Sequence, residues 1–185
     1  DLYYLTDCQG SDLVEALVGS ASSHLPSGNK HARFYSQESA KKKLTMVTGG
    51  GGRKIMGAFL EGFIETQKSG DGNALTIAHR VPLASRKEGS LQALMEKFDV
   101  ELEAGHYDGN YQMALNDRMH IYTHDHYAER LDAIIGPADV VTSFIGGVGT
   151  EDEYVWAMYH NLMVEMRGYG VCPNHGDKNF SKKQL

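Results

Sequence analysis

A chain of 185 residues with 41% hydrophobic and 23% charged residues has the composition of one ordinary globular domain. Its net charge of −6 argues against a nucleic-acid partner, and the lack of any run of about 18 apolar residues argues against a membrane-spanning segment. Two cysteines, Cys8 and Cys172, lie far apart without metal-ligand spacing, which favours free thiols and a cytoplasmic location.

The first half of the chain alternates apolar runs with helical patterns. Strands are predicted over residues 13–18, 44–48 and 74–78. A loop is predicted over 24–30, which contains Pro26, and a helix over 31–43 follows it. A second helix is predicted from Arg53, because apolar residues recur there at helical spacing. That stripe consists of Ile55, Met56, Phe59, Leu60 and Phe63.

The second half continues the alternation after a stretch, residues 84–118, whose pattern is weak. Within that stretch a helix is predicted over 91–98 and a loop over 105–111. Beyond it the predicted elements are a strand at 119–123, a helix at 126–135, a strand at 138–145, a helix at 151–166 and a last strand at 169–172. Residues 1–12 and 173–185 are expected to form a flexible arm and tail.

This alternation predicts an α/β protein in which one domain spans residues 1–185. Strands that alternate with helices form a doubly wound, mostly parallel sheet of the Rossmann-like kind. The carboxyl ends of parallel strands lie at one edge of such a sheet, and ligands bind there. Residues that directly follow the strands are therefore candidates for a site.

Two glycine-rich turns directly follow predicted strands and precede predicted helices. The first is residues 49–52, four consecutive glycines, and the second contains Gly146, Gly147 and Gly149. Glycine lets the backbone approach a ligand, and the free N–H groups at a helix start favour an anion. Neither turn has the spacing of a dinucleotide fingerprint or a P-loop. Together they predict a phosphorylated ligand, with Thr150 as helix N-cap and phosphate ligand.

Three acids, Glu151, Asp152 and Glu153, occupy the first turn of the helix that follows the second glycine turn. Negative side chains suit the positive end of a helix, so ordinary capping is one interpretation. The other is that one of them faces the ligand as a catalytic carboxylate. Ser20, in the loop after the first strand, is interpreted as either a hydrogen-bond donor to the ligand or a turn residue.

Three histidines, His120, His124 and His126, lie close together in sequence. Structural zinc sites combine such residues at set spacings, often with paired cysteines. Here His120 falls in a predicted strand, and no paired cysteines accompany the histidines. We therefore expect edge or surface histidines and no metal.

Three stretches of the chain together resemble the LOG-like nucleotide phosphoribohydrolases, the cytokinin-activating Lonely guy family. Residues 18–23 (VGSASS) are similar to the family's first-strand Gly-Ser-Ser loop, and residues 47–58 (VTGGGGRKIMGA) to its Gly-Gly-Gly-x-x-Gly-Leu-Met-Gly-Ala turn. Residues 146–153 (GGVGTEDE) match the Gly-Gly-x-Gly-Thr-x-x-Glu part of its signature. Arg130 stands where the family has the arginine of an Arg-Lys pair.

The resemblance implies hydrolysis of a nucleoside 5′-monophosphate to free base and ribose 5-phosphate, by a homodimer that needs no cofactor. It implies that Glu153 stabilises positive charge on the ribose or activates water, and that Arg130 positions substrate and carboxylate. In the same way Asp152 would hold a ribose hydroxyl. The implied ligand-binding residues are Ser20, Gly50, Gly51, Met56, Gly146, Gly147, Val148, Gly149, Thr150 and Asp152.

Three departures from the family pattern keep a second interpretation open. Ile145 replaces the proline of the signature, Leu131 the lysine of the Arg-Lys pair, and Lys54 a glycine. Related folds serve as nucleotide-ligand sensors or cofactor carriers with the same glycine turns, so the alternative is a non-catalytic binding module. Arg130 and Glu153 favour the enzyme, whereas Leu131 favours the binding module.

Overall fold

The computed structural model describes most of the chain between Leu13 and Arg167. The described residues are 13–20, 26–42, 44–72, 74–80, 91–104, 110–144, 146, 148–160 and 163–167. They form an α/β fold built on a single eight-stranded sheet, as the alternation of strands and helices predicts.

Within the described residues there are eight strands and five helices. The strands are β1 (Val14–Val18), β2 (Thr45–Thr48), β3 (Leu75–Arg80), β4 (Glu103–Ala104), β5 (Tyr111–Ala114), β6 (Met119–Thr123), β7 (Val140–Phe144) and β8 (Met163–Arg167). The helices are α1 (Pro26–Lys41), α2 (Lys54–Lys68), α3 (Leu91–Lys97), α4 (Tyr127–Ile135) and α5 (Val148–Tyr159). None of these helices is long and apolar enough to cross a membrane.

The sheet is doubly wound about its strand β1. Its strand order is β4-β5-β6-β3-β2-β1-β7-β8, parallel from β6 to β8 and antiparallel at β4–β5–β6. The crossover that leaves β1 leads to β2 on one side, and the chain later returns to pair β7 on the other side. The loops after β1 and β7 therefore flank the point at which the strand order reverses, where such folds bind ligands.

Helices cover both faces of the sheet, so the parallel strands are buried on both sides. Leu17 of β1 joins a core with α1, α2 and α3, whereas its neighbours Ala16 and Val18 join a second core with α4 and α5. The apolar stripe predicted on the second helix is buried, and all of its residues except Met56 belong to the first core. There the rings of Phe59 and Phe144 meet edge to face, with centroids 5.1 Å apart, and fix α2 over β7.

The close approach of α1 and α2 depends on Gly62. A Cβ atom at this position would collide with the carbonyl oxygen of Arg33 on α1. Around the contact, Ser36 donates a hydrogen bond to the carbonyl of Phe59 (2.6 Å), and Arg33 forms an ion pair with Glu65. The two helices therefore pack backbone against backbone, with polar contacts at the rim.

A carboxylate lies buried beneath α1. Glu15 of β1 accepts hydrogen bonds from the hydroxyls of Tyr35 (2.5 Å), Thr142 (2.6 Å) and Ser39 (3.0 Å). Tyr35 and Ser39 come from α1 and Thr142 from β7, so three elements share one acid. A buried charge is tolerated when it is hydrogen-bonded in this way.

The two largest errors in the predicted helix boundaries are at the start of the first helix and at the end of the last helix. The first helix begins at Pro26 rather than at His31, because proline suits the first helical position, where its missing N–H is not needed. The last helix ends at Tyr159 rather than at Met166, and Met163–Arg167 forms β8 instead. Residues 163–166 contain good helix formers, but parallel pairing with β7 overrides that local preference.

Smaller differences concern the third strand and the weak stretch. β3 extends to Arg80, two residues past its predicted end. Tyr111, predicted in a loop, begins β5, which adds an antiparallel edge to the sheet. The predicted strand 169–172, the arm 1–12, the tail 173–185 and both cysteines lie outside the described residues.

Candidate functional site

Three loops converge at the carboxyl edge of the sheet. Ser20 follows β1, the first glycine turn follows β2, and Gly146 follows β7. The N–H of Ile55, at the start of α2, donates to the carbonyl of Ser20 (3.2 Å), which joins the first two loops. A Cβ atom on Gly146 would lie 2.7 Å from the Cβ of Ser20 and would collide with Oγ1 of Thr150. The sequence stretches that carry the family resemblance are thus neighbours in space.

A buried ion pair lies beside this junction. Nη1 of Arg130, on α4, is 3.7 Å from Oε1 of Glu153, on α5, and both side chains are at most 5% exposed. Ala157, one helical turn beyond Glu153, is also buried, whereas Glu151 and Asp152 are exposed. The three acids of this helix start therefore differ, and only Glu153 faces the interior.

Two backbone carbonyls hold the guanidinium of Arg130. Nε donates to the carbonyl of His79 at the end of β3 (3.1 Å), and Nη2 donates to the carbonyl of Gly49 after β2 (3.3 Å). Sδ of Met56 lies 3.7 Å from Nη2. Arg130 therefore connects two strand ends to Glu153, and a buried pair of charges needs such additional hydrogen bonds.

The first glycine turn needs unusual backbone angles. Gly50 has φ +67°, and a Cβ atom there would lie 2.7 Å from Cγ of Arg80. Gly51 is buried beside it. Lys54 also lies in the left-handed region, with φ +54°. Left-handed backbone strains a residue with a Cβ atom and favours glycine. This explains physically why the family pattern has a glycine where this chain has Lys54.

The predicted capping role of Thr150 is wrong. α5 begins at Val148, so Thr150 lies inside the first turn rather than before it. Its side chain is buried, and its hydroxyl faces Gly146. The first N–H groups of a helix have no partner within it, and the first turn of α5 lies beside Gly146 and Ser20. Gly147 and the side chain of Val148 lie outside the described residues.

Two residues of the site carry no strong sequence signal. Tyr127 begins α4, with its ring centroid 5.6 Å from the guanidinium carbon of Arg130. Its hydroxyl lies 3.4 Å from where a Cβ of Gly149 would be. Tyr127 stands three residues before Arg130, a spacing that shares a helix face and is the one available clue. His79 is a lone histidine in a strand, and its position becomes clear only from the sheet pairing.

Three histidines make close side-chain contacts at the ends of β3 and β6. Nδ1 of His79 lies 2.8 Å from Nε2 of His124, and the hydroxyl of Tyr111 lies 2.5 Å from Nδ1 of His120. Burial, with help from His124 and Arg130, lowers the pKa of His79 to about 3. Burial also lowers the pKa of His120 and His124. Across the described part of the chain, no three histidine, cysteine or acidic side chains form a group that could hold a metal.

Comparison with known proteins shows the fold and leaves the family open. No protein-family model and no curated protein sequence matches this chain. Among solved structures, the molybdenum cofactor binding protein from Rippkaea orientalis is 20% identical, with a TM-score of 0.53 over 84% of this chain and 75% of that one. The molybdenum cofactor carrier protein from Chlamydomonas reinhardtii is 14% identical, with a TM-score of 0.54 over 83% and 75%.

A third solved structure shares the fold and has a different kind of ligand. DNA processing protein A from Helicobacter pylori, described with a single-stranded DNA binding mode, is 13% identical, with a TM-score of 0.57 over 90% of this chain and 69% of that one. At these identities the common property is the Rossmann-like fold. The chemistry of this chain must therefore be argued from its own site.

Proposed function

We propose that this protein is a LOG-like phosphoribohydrolase that cleaves nucleoside 5′-monophosphates into base and ribose 5-phosphate. The observation that carries the proposal is the buried Arg130–Glu153 pair, placed directly beside the junction of the glycine turns. A structural ion pair needs no such surroundings. A site that must bind an anion and place one carboxylate next to it needs both the glycine turns and the buried ion pair.

The phosphate is proposed to bind at the start of α5. The first N–H groups of α5, which have no carbonyl partner within the helix, and the positive end of the helix dipole favour an anion there. Oγ1 of Thr150 on α5 and Cβ of Ser20 in the loop after β1 both lie next to Gly146. Gly146 has no Cβ atom, and the space that a Cβ would need is already filled by these two residues, so the backbone itself forms the cradle.

Glu153 then acts on the ribose. When the bond from C1′ to the base breaks, its electron pair leaves with the base nitrogen and C1′ becomes electron-deficient. A carboxylate nearby stabilises that charge, and more strongly where water is excluded. The oxygen of a water molecule bonds to C1′, and one of its protons passes to Glu153 and then through solvent to the departed base. Arg130 fixes the carboxylate in position.

A second candidate, a non-catalytic carrier of a phosphorylated cofactor, is supported by two observations. Two structures with this fold are described as molybdenum cofactor binding or carrier proteins. At the position of the family's lysine, Leu131 is buried and offers no charge. An anion site without that lysine suits binding alone.

Base release separates the two candidates. The protein is incubated with the 5′-monophosphates of adenosine, guanosine, cytidine, uridine and an N6-alkylated adenosine, and free base is measured by chromatography. The phosphate-free nucleosides are the matched control. We expect release from at least one monophosphate and none from its nucleoside, because the nucleoside lacks the group that α5 binds. Binding measured by calorimetry without release of base would support the carrier and contradict the hydrolase.

The proposal includes a homodimer. Val155, Met158 and Tyr159 of α5 are between 54% and 77% exposed. Their spacing places them on one face of the helix. A second copy of this chain packed on that face would cover them and bring the start of one α5 close to the interface.

A further inference from the structure

The two strand-end carbonyls that hold Arg130 differ in how they are fixed. The carbonyl of Gly49 belongs to a glycine turn, whereas that of His79 belongs to a residue whose ring is itself tightly held. The ring of His79 stacks on Tyr122 of β6, with centroids 5.5 Å apart and planes 21° apart. On its other side Nδ1 meets Nε2 of His124.

His124 is in turn attached to the end of β3. Its backbone N–H donates to the carbonyl of Arg80 (2.8 Å), and its ring nitrogen meets His79 (2.8 Å). Two adjacent peptides of β3 are therefore held on opposite sides, the His79 peptide by Arg130 and the Arg80 peptide by His124. The imidazole of His124 and the guanidinium of Arg130 therefore both contact one residue, His79.

One N–H···N hydrogen bond joins the two imidazoles. A hydrogen bond between two ring nitrogens needs a donor on one ring and an acceptor on the other, so it is lost when both rings are protonated. Even one added proton places a positive charge beside Arg130. Within the described ranges, the charged or titratable groups facing the pair include Tyr122 from β6, Asp125 before α4, Glu129 and Arg130 from α4, and, through Arg130, Glu153 from α5.

We propose that His79 and His124 are positioning residues, which hold Arg130 against Glu153 while both imidazoles are neutral and release it as the pair is protonated. The sign follows from burial. The pKa of His79 lies at about 3 in the folded protein against 6.5 for a free histidine, and that of His124 is also lowered. The held arrangement thus binds fewer protons than one in which the imidazole pair is released to solvent, so it is complete above about pH 6.5 and weakens as the pH falls toward 3.

NMR of the Arg130 side chain tests the proposal. The Nε–Hε cross-peak of Arg130 reports its hydrogen bond to the His79 carbonyl, and backbone amide signals in the same samples report whether the chain is folded. Exchange of an exposed guanidinium proton with water slows as the pH falls. We expect the opposite for Arg130: its Nε–Hε signal should lose protection between pH 6.5 and 3 while the amide signals remain those of the folded protein.

Two variants with matched changes test whether protonation of the imidazole pair causes the loss of protection at Arg130. His124→Gln keeps a hydrogen-bonding group next to His79 but cannot be protonated, so the loss of protection should move to lower pH. His120→Gln makes the same change at another histidine of lowered pKa, paired with Tyr111 and not with Arg130, and should leave the transition in place. An unchanged transition in His124→Gln, an equal shift in His120→Gln, or loss of the Arg130 signal only together with global unfolding would each overturn the proposal.

A second experiment measures the binding of adenosine 5′-monophosphate. Unlike the NMR experiment, it rests on the proposed function. Its dissociation constant should rise by up to about tenfold per pH unit while one proton is taken up. The ligand's own phosphate titrates as well, so only the difference between His124→Gln and His120→Gln is read. If no nucleotide binds at any pH while the Arg130 signal follows the imidazole pair, the proposed function fails and this inference stands.

Discussion

Glu153 and Glu151 lie two residues apart on α5 but in different surroundings. Glu153 is buried against Arg130, and Glu151 is exposed. Arg130 is less suitable for a first test of catalysis, because its guanidinium also joins the ends of β2 and β3. Its removal would leave two buried carbonyls unpaired and would weaken the fold together with any activity.

Glu153→Gln should lower turnover about 10²–10³-fold, the range for loss of one preorganised electrostatic group. Glutamine keeps the size and hydrogen bonding but removes the charge that is proposed to face C1′, so nucleotide affinity should change far less. Steady-state kinetics and calorimetry on the same preparations measure both. Glu151→Gln is the matched control and should have nearly normal kinetics. Equal, small effects at the two positions would identify Glu153 as a structural partner of Arg130.

Whether a residue of the site can be predicted from the sequence depends on whether it belongs to a motif. Arg130, Glu153, Thr150 and Ser20 are found through a motif or a resemblance, and the structure brings them together; their roles remain predictions. His79 and Tyr127 reach the same place through the pairing of β3 with β6 and the start of α4. A lone histidine or tyrosine has no pattern along the chain that reveals such a contact.

At the scale of the elements, Gly62 determines how closely α1 and α2 approach. Glycine in a helix interior is usually less stable than alanine by about 1 kcal/mol. Here the sign should reverse, because a Cβ would strike the carbonyl of Arg33. We expect Gly62→Ala to destabilise the protein by about 1–3 kcal/mol, the cost of overpacking a core.

Urea unfolding followed by circular dichroism measures this effect. Glu61→Ala, the neighbouring change on the same helix, alters a partly exposed side chain and serves as the control. A gain in stability for Gly62→Ala would show that the two helices can move apart at little cost. The contact would then not fix the spacing of this layer.

The elements themselves were predictable where local pattern and tertiary context agree. Strand, glycine turn and helix follow one another at both glycine clusters, as the sequence predicts. β8 was missed because Met163–Arg167 is strand only through its pairing with β7. Similarly, β5 forms through antiparallel pairing with β6. The sequence pattern of its own residues is too weak to predict a strand.

For the whole molecule, the exposed face of α5 predicts the state of association. Val155→Glu combined with Met158→Glu should convert a homodimer into a monomer, because it places two charges where a second copy would pack. Sedimentation velocity measures the mass. Phe34→Glu, a charge placed on an exposed apolar side chain of α1, should leave the dimer intact. A monomeric wild-type protein, or equal dissociation by both changes, would contradict the proposed interface.

The buried carboxylate beneath α1 has a consequence for how the chain is made. β1 finds its first neighbour, β2, about thirty residues later, but its second neighbour, β7, only after more than a hundred. During synthesis, one side of β1 therefore stays open while most of the protein emerges from the ribosome. An inward-pointing charge on an open strand discourages pairing with other chains. Glu15 supplies that charge, and the arrival of Thr142 with β7 completes its ring of hydroxyls. We infer that the same acid disfavours pairing of the nascent sheet with other chains and, once β7 is in place, becomes part of the core.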